Sequence, residues 1–222
     1  MTLILLAMLG YWTEPPSMKD GKKDDNKPSA PVYDAGERID EYRQKVLELF
    51  EKDQDARKEG QAAFQSVKPG TPIGPAEQAA LDKMTRASRA HIAELRKLMA
   101  KYGFPGYKKV GRDATAAAVM IVTNADKDTG FQKKFLDDMK KAADASDADR
   151  GDFAMLTDRV LIAEGKRQRY GTMISVKGTK ITPMPVEDPK NLDKRRAEVG
   201  LPPMEDYLET VKSRYSQGKD GG

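Results

Sequence analysis

The spacing of the apolar side chains constrains the fold of this chain more than any other feature of its sequence. From about residue 36 onward, apolar residues recur every three or four positions, and glycine or proline separates one such stretch from the next. This period matches the turn of an α-helix and favours helices that bury one face. The stretch from Ala114 to Asn124 is almost entirely apolar, so we expect it to form the buried centre of the fold.

The same spacing predicts the order of the elements. Alternating apolar and polar residues replace the helical period between Gln168 and Pro185, which indicates a β-hairpin with its turn at residues 177–180. Asp188 followed by Pro189 is predicted to cap the sixth helix. The fold class is therefore mainly α, an irregular bundle of about seven helices with one small β-hairpin near the C-terminal third. The predicted helices cover about residues 36–59, 75–103, 114–124, 131–139, 152–164, 189–200 and 203–215.

Composition divides the chain into four regions. Residues 1–12 are apolar and uncharged, which is typical of the core of a secretory signal or of a weak anchor, because a membrane-spanning helix needs about 20 residues. Residues 13–35 are polar and contain several prolines, and they predict a disordered linker. A single helical domain is expected over residues 36–216, followed by a disordered tail at 217–222.

Charge and the apolar start of the chain bear on location and partners. We expect an exported protein of the periplasm, cell envelope or medium, with the cytoplasm as the alternative, and membrane contact through residues 1–12 alone. Lys and Arg number 39 against 35 Asp and Glu, a net charge of +4, and the two signs alternate along the helices. This pattern is typical of solvated helix faces, so we expect no nucleic-acid partner. It indicates no particular protein partner.

The scarcity of thiol and imidazole groups excludes several kinds of site. With no Cys and one His, this chain has no disulfide, no Cys nucleophile, no iron–sulfur cluster and no zinc site built on Cys or on several His. The lone His91 lies between Ser88 and Leu95 on a predicted helix, where we expect a hydrogen-bonded or half-exposed side chain rather than a catalytic one. No metal and no cofactor are expected. Catalysis would depend on carboxylates, hydroxyls, Arg and Lys.

Polar side chains interrupt the apolar faces of several predicted helices. Asp53 and Gln54 continue the apolar stripe of the first helix, and Arg57 follows Asp53 by one helical turn. Asp158 and Arg159 lie in an otherwise apolar helix, where burying two charges costs roughly several kcal/mol unless they are paired. We expect these groups to meet in the interior, as a salt-bridge network or as a pocket for a small polar or anionic ligand. Further interruptions come from Asn124, Asp126 and Arg196.

Three functions are compatible with this arrangement. The leading hypothesis is an interior polar pocket that binds a small polar or anionic molecule, without established catalysis. The second is a hydrolase in which Asp158 or Asp53 is the general base and Arg stabilises developing negative charge. The third is a tethered protein that binds a protein partner through an apolar surface patch.

A succession of short motifs runs through the chain. They are Asp53-Gln54-x-x-Arg57, Tyr102-Gly103-Phe104-Pro105 with Val110-Gly111, Asn124-Ala125-Asp126, Leu156-Thr157-Asp158-Arg159 with Gly165-x-x-Gln168-x-Tyr170-Gly171-Thr172, and Asp193-x-Arg195-Arg196-x-x-Val199-Gly200-Leu201. In order and spacing these motifs resemble an uncharacterised bacterial family, domain of unknown function 6624, over about residues 36–210. The resemblance implies the family's fold and a shared polar site but no activity. It adds Gln168, Tyr170 and Arg195 to the predicted ligand-binding residues.

Two positions depart from the family pattern. Relatives tend to have Gln-His before the Asp-containing turn, where this chain has Thr123-Asn124, and Met173 replaces the usual Gln after Tyr-Gly-Thr. Loss of that His argues against acid–base catalysis by an imidazole at this position, whereas Asn can still hold a ligand. The comparison with the family pattern therefore favours binding over turnover.

Overall fold

The computed structural model describes residues 37–65, 67, 71–125, 128–177 and 180–217. These residues form seven α-helices and one two-stranded hairpin, which confirms the predicted fold class. The predicted apolar segment and linker lie outside the described residues, as does the predicted tail after Gln217.

The helices follow one another with short connections. Within the described residues, none of them is both long and apolar enough to span a membrane. A 3-10 turn, Pro189–Asn191, leads directly into the sixth helix. The elements are α1 (Glu37–Ala62), α2 (Pro75–Tyr102), α3 (Tyr107–Thr123), α4 (Thr129–Asp144), α5 (Arg150–Ala163), β1 (Ile174–Lys177), β2 (Lys180–Pro183), α6 (Leu192–Glu198) and α7 (Met204–Gln217).

Helix α3 is the buried centre of the bundle, as predicted. All residues from Ala117 to Thr123 are buried, and α1 packs along this helix and against α2. Larger side chains from the neighbouring helices complete the core, including Tyr42 of α1, Leu95 of α2 and Phe135 of α4. Each large apolar side chain that is fully buried contributes about 1.5–3 kcal/mol. On the other side of α3, helices α4 and α5 pack against each other.

Helix α3 begins earlier than the apolar pattern predicts. It starts at Tyr107 rather than at Ala114, and its first turn is interrupted at Gly111, whose φ is 80°. This left-handed conformation favours glycine, and Thr115 donates its hydroxyl to the Gly111 carbonyl at 2.8 Å. The early turn was not predicted because its residues are largely polar, so they carry no apolar period.

The hairpin is shorter than predicted. Strands β1 and β2 are antiparallel, with Ile174 opposite Pro183. Residues 168–173, predicted to belong to the first strand, form a loop in which Gln168 makes an isolated bridge to Val186. The backbone N–H groups of this loop bind the carboxylate of Asp158 instead of a neighbouring strand. The predicted turn is described only at its two ends, because residues 178 and 179 lie outside the described part of the chain.

The prediction that Asp188 caps the sixth helix with its side chain is wrong. Asp188 precedes the 3-10 turn, but its φ is 37° and its carboxylate makes no capping hydrogen bond. The carboxylate accepts from Nδ2 of Asn191 at 2.7 Å and lies 3.5 Å from the guanidinium of Arg195. The carboxylate of Asp188 therefore pairs with Arg195 of α6 instead of accepting the backbone N–H groups at the start of the helix.

A buried carboxyl lies in the first turn of α5. Asp149 caps this helix by accepting the N–H of Asp152 at 3.0 Å. Asp152 itself is 8 % exposed. Burial, together with the charge of Asp149, raises the pKa of Asp152 to about 7. This carboxyl therefore loses its proton near neutral pH, because its charged form is poorly solvated.

We expect Asp152→Asn to stabilise the protein above neutral pH. The pKa of Asp152 is raised from 3.8 to about 7 on folding, so the folded state binds the extra proton and stability falls as the pH rises through this window. An Asn never loses a proton there, so the variant should melt several degrees above the wild type at pH 8 and close to it at pH 4. Differential scanning calorimetry measures both values. The exposed Asp137→Asn is the control, and an equal shift of Asp152→Asn at both pH values would contradict the assignment.

Candidate functional site

Asp53 lies at the centre of a polar cluster in the helical core. It continues the buried face of α1 that Tyr42, Val46 and Leu49 form, which places its carboxylate inside the bundle. An ionised carboxylate in this position requires hydrogen-bond donors. They come from α1, from α2 and from the residue that ends α3.

Both oxygens of Asp53 have partners. Oδ2 accepts from Nε of Arg57 at 2.8 Å and from Nδ2 of Asn124 at 3.2 Å. Oδ1 lies 3.4 Å from Nδ1 of His91. Arg57 also donates from Nη2 to the backbone carbonyl of Asn124 at 3.1 Å. We name these four residues, Asp53, Arg57, His91 and Asn124, the Asp53 cluster.

The Asp53 cluster keeps its carboxylate ionised. Burial by itself raises the pKa of Asp53, because the interior solvates a charge poorly. The hydrogen bond from His91, the charge and hydrogen bond of Arg57 and the amide of Asn124 act in the opposite direction and outweigh burial, so the pKa is lowered. At neutral pH, Asp53 is therefore a charged acceptor.

Two side chains of the Asp53 cluster are partly exposed to solvent. The side chains of Arg57 and His91 are 22 % and 12 % exposed, whereas that of Asp53 is 3 % exposed. Nη1 of Arg57 and Nε2 of His91 make no hydrogen bond to the described part of the protein. A guanidinium donor and a ring nitrogen are thus the polar atoms of these two side chains that remain without a partner among the described residues.

A second guanidinium lies near Arg57. Arg159 of α5 is partly buried, and burial together with the positive charge of Arg57 lowers its pKa to about 10. The two guanidinium groups therefore lie close enough for their charges to interact.

Two buried amide atoms lack a hydrogen-bond partner within the described structure. They are Nε2 of Gln54, which lies three residues before Arg57 on α1, and Oε1 of Gln132 on α4. The Nε2 atom of Gln132 donates to the carbonyl of Val122 at 3.0 Å, close to Asn124 in the chain. Unsatisfied buried polar atoms are uncommon in folded proteins. Among the described residues, Nε2 of Gln54 is therefore a buried donor without a partner, on the helix that carries Asp53 and Arg57.

Asp158 makes its hydrogen bonds outside the Asp53 cluster. It is fully buried and accepts the backbone N–H groups of Arg169 at 2.6 Å, Tyr170 at 2.9 Å and Thr172 at 2.9 Å, together with the Thr172 hydroxyl at 2.8 Å. Neighbouring helix residues point about 100° apart. Asp158 therefore faces the loop before the hairpin, while the next residue, Arg159, lies near Arg57.

The other predicted residues hold the same loop. The side chain of Gln168 both donates to and accepts from the backbone of Met173, at 3.0 and 2.8 Å. Nε of Arg195 and Nη1 of Arg196 donate to the carbonyls of residues 169 and 170, at 2.9 and 2.7 Å. Arg196 is fully buried, as its place on the inner face of the sixth helix predicts. We name Asp158, Gln168, Tyr170, Arg195 and Arg196 the loop network.

The residues predicted to form one site thus fall into two groups. Asp53, Arg57 and Asn124 meet as predicted, with Arg159 nearby. Between described residues, no hydrogen bond or ion pair joins the Asp53 cluster to the loop network. Asp126, which is predicted to take part, lies outside the described residues.

Comparison with known proteins identifies a family whose function is unknown. The model of a family of unknown function, DUF6624, matches residues 40–218. The chain belongs to DUF6624. This confirms the resemblance that the sequence motifs predict. No curated protein and no solved structure matches the chain.

Sequence reasoning missed two residues near the site of this DUF6624 protein. His91 is half-buried and hydrogen-bonded, as its sequence context predicts, but its partner is the central carboxylate of the cluster. Gln132 is fully buried between Phe131 and Phe135. The sequence spacing could have indicated that His91 points inward. It lies four residues before the buried Leu95 and thus on the inner side of α2.

The Asp53 cluster is poorly suited to a metal ion. In the part of the DUF6624 chain that the structure describes, no three His, Asp or Glu side chains are grouped so that they could hold one. The carboxylate and the imidazole of the cluster also face each other, and Arg57 adds a positive charge beside them. This donor set favours an anion over a cation.

We expect Asp158→Asn to destabilise this DUF6624 protein strongly. Asn offers a single acceptor oxygen, and its NH₂ group would face the N–H groups of residues 169–172. The loss should be about 2–4 kcal/mol in the free energy of unfolding, measured by urea titration. Asp55→Asn, on the exposed face of α1, is the matched control and should change stability by less than about 0.5 kcal/mol. If the two variants unfold alike, Asp158 does not hold the loop.

Proposed function

We propose that this protein binds a small polar or anionic ligand at the Asp53 cluster. The observation that carries the proposal is the convergence of Asp53, Arg57, His91 and Asn124 from three helical segments around one ionised carboxylate, with Arg57 and His91 open to solvent. Asp53 orients Arg57 through its Nε. The outer edge of the guanidinium is therefore presented at a defined angle, as recognition of a carboxylate or phosphate requires.

Charge favours an anion as the ligand. Nη1 of Arg57 remains available for hydrogen bonds. The unpartnered Nε2 of Gln54 supplies a further donor on the same helix. Arg, unlike Lys, holds two oxygens of a carboxylate or phosphate at once, so the proposed ligand carries at least one such group.

The alternatives receive less support. As a general base, Asp53 would need a raised pKa, but its pKa is lowered by its donors, and Asp158 accepts four hydrogen bonds from its loop. A docking module would need an apolar surface patch. Among the described residues, Ile73 is the single large apolar side chain that is exposed. Neither observation favours the hydrolase or the interaction module over ligand binding.

Location is a separate proposal. Export to the periplasm, cell envelope or medium is supported by the apolar and uncharged character of residues 1–12 and by nothing else in the chain. If the protein is exported, its ligand would be an anion of the envelope or the medium. If it stays in the cytoplasm, the pool of small phosphorylated compounds and carboxylates becomes the relevant source.

We expect Arg57→Gln to weaken anion binding while the fold persists. Isothermal titration calorimetry with inorganic phosphate and with malonate measures the affinity, and the variant should bind at least about tenfold more weakly because one charge-assisted hydrogen bond is lost. Arg43→Gln is the matched control, since Arg43 is paired with Asp113 on the surface at 2.6 Å. Arg57→Lys keeps the charge but removes the planar fork, and it should bind with intermediate affinity.

Two results would contradict the proposed function. One is equal affinity for phosphate and malonate in the wild type, Arg57→Gln and Arg43→Gln. The other is binding that is lost in Arg43→Gln and kept in Arg57→Gln, which would place the anion site on another surface. Circular dichroism of each variant separates loss of binding from loss of fold.

A further inference from the structure

The two ring nitrogens of His91 have different surroundings. Nδ1 lies 3.4 Å from Oδ1 of Asp53, at the long end of hydrogen-bonding distances. An ionised carboxylate can only accept, so Nδ1 must carry the proton of this bond. Asp53 is ionised because its donors lower its pKa. The carboxylate therefore selects the tautomer of the neutral imidazole.

This choice of tautomer determines what Nε2 can do. A neutral imidazole has one N–H group, so a proton on Nδ1 leaves Nε2 with a lone pair and makes it an acceptor. Nε2 makes no hydrogen bond to the described residues and is not among their buried unpartnered atoms. In the neutral imidazole it is thus an acceptor that solvent reaches.

The other side chains in and near the cluster supply mainly donors. Arg57 and Arg159 have no acceptor atom, and the amide nitrogen of Asn124 is already bonded to Asp53. The carboxylate oxygens of Asp53 accept from the cluster itself. Within the described residues, Nε2 of His91 and Oδ1 of Asn124 are thus the acceptors of the cluster left for a ligand.

We infer that the ligand carries a hydroxyl group beside its anionic group, and that Nε2 of His91 accepts the hydrogen bond of this hydroxyl. This inference rests on the proposed anion site. A ligand without the hydroxyl would displace water from Nε2 without replacing its hydrogen bond, and such a loss weakens binding. Hydroxy acids and small hydroxylated phosphate esters share the required chemistry.

The tautomer can be measured without any ligand. Because His91 is the single histidine of the chain, a two-bond ¹H–¹⁵N spectrum of the full-length protein contains the imidazole signals of one residue. Near pH 9, where a typical imidazole is neutral, we expect the proton on Nδ1. A proton on Nε2 would overturn the inference and leave the proposed anion site intact, since Arg57 does not depend on the tautomer.

Matched pairs of probes test the hydroxyl. One pair is glycolate and acetate, and the other is glycerol 3-phosphate and propyl phosphate. Within at least one pair the hydroxylated probe should bind about tenfold more tightly, the effect of one ordinary hydrogen bond. The pair that shows the difference identifies the anionic group as a carboxylate or a phosphate.

His91→Phe removes the acceptor and should bring the affinity ratio within the pair close to one while the anion still binds. Arg43→Gln, which changes a surface residue paired with Asp113 and leaves the cluster and its imidazole intact, is the control and should keep the ratio. If His91→Phe fails to fold, the wild-type tautomer and the wild-type ratio still decide the question.

The outcomes separate the two proposals. Equal binding within both pairs in the wild type, with both affinities lost in Arg57→Gln, overturns the inference and supports the anion site. Failure of all four probes to bind the wild type overturns the anion site and the inference with it. A proton on Nδ1 together with a ratio that His91→Phe removes supports both.

Discussion

A buried carboxylate must find hydrogen-bond donors, and this requirement governs how the central helices of the protein meet. Asp53 draws its donors from α1, from α2 and from the end of α3, through Arg57, His91 and Asn124. Apolar packing holds these helices together without directional contacts. The shared carboxylate adds a directional contact that ties one turn of each helix to the others.

The same requirement for hydrogen-bond partners gives two polar residues of α5, Asp158 and Arg159, different surroundings. The carboxylate of Asp158 accepts hydrogen bonds from the loop of residues 169–172. Arg195 and Arg196 donate hydrogen bonds to carbonyls of the same loop. Arg159, the next residue, lies near Arg57 and contributes charge to the proposed ligand site. Two adjacent residues of one family motif therefore support the fold and the site separately.

The helices could be predicted from the sequence because apolar spacing is a local property. The partners of polar groups could not, because they are distant in the chain: His91 lies 38 residues from Asp53, and Asn124 lies 71 residues from it. The loop of residues 168–173 shows the same limit. Its alternation indicates a strand, but its N–H groups bind a side chain of α5 that no local pattern could assign to it.

The small side chains of α3 have a consequence for how the proposed site adapts to what it binds. Ala117 and Ala118 are buried, and a close-packed interior resists any shift of the helix. Asn124, at the end of α3, is therefore anchored to a rigid element. The guanidinium of Arg57 is held to the same place, through Nε by Asp53 and through Nη2 by the carbonyl of Asn124. The proposed site would thus select an anion that fits a fixed guanidinium and would adjust little to anions of different size.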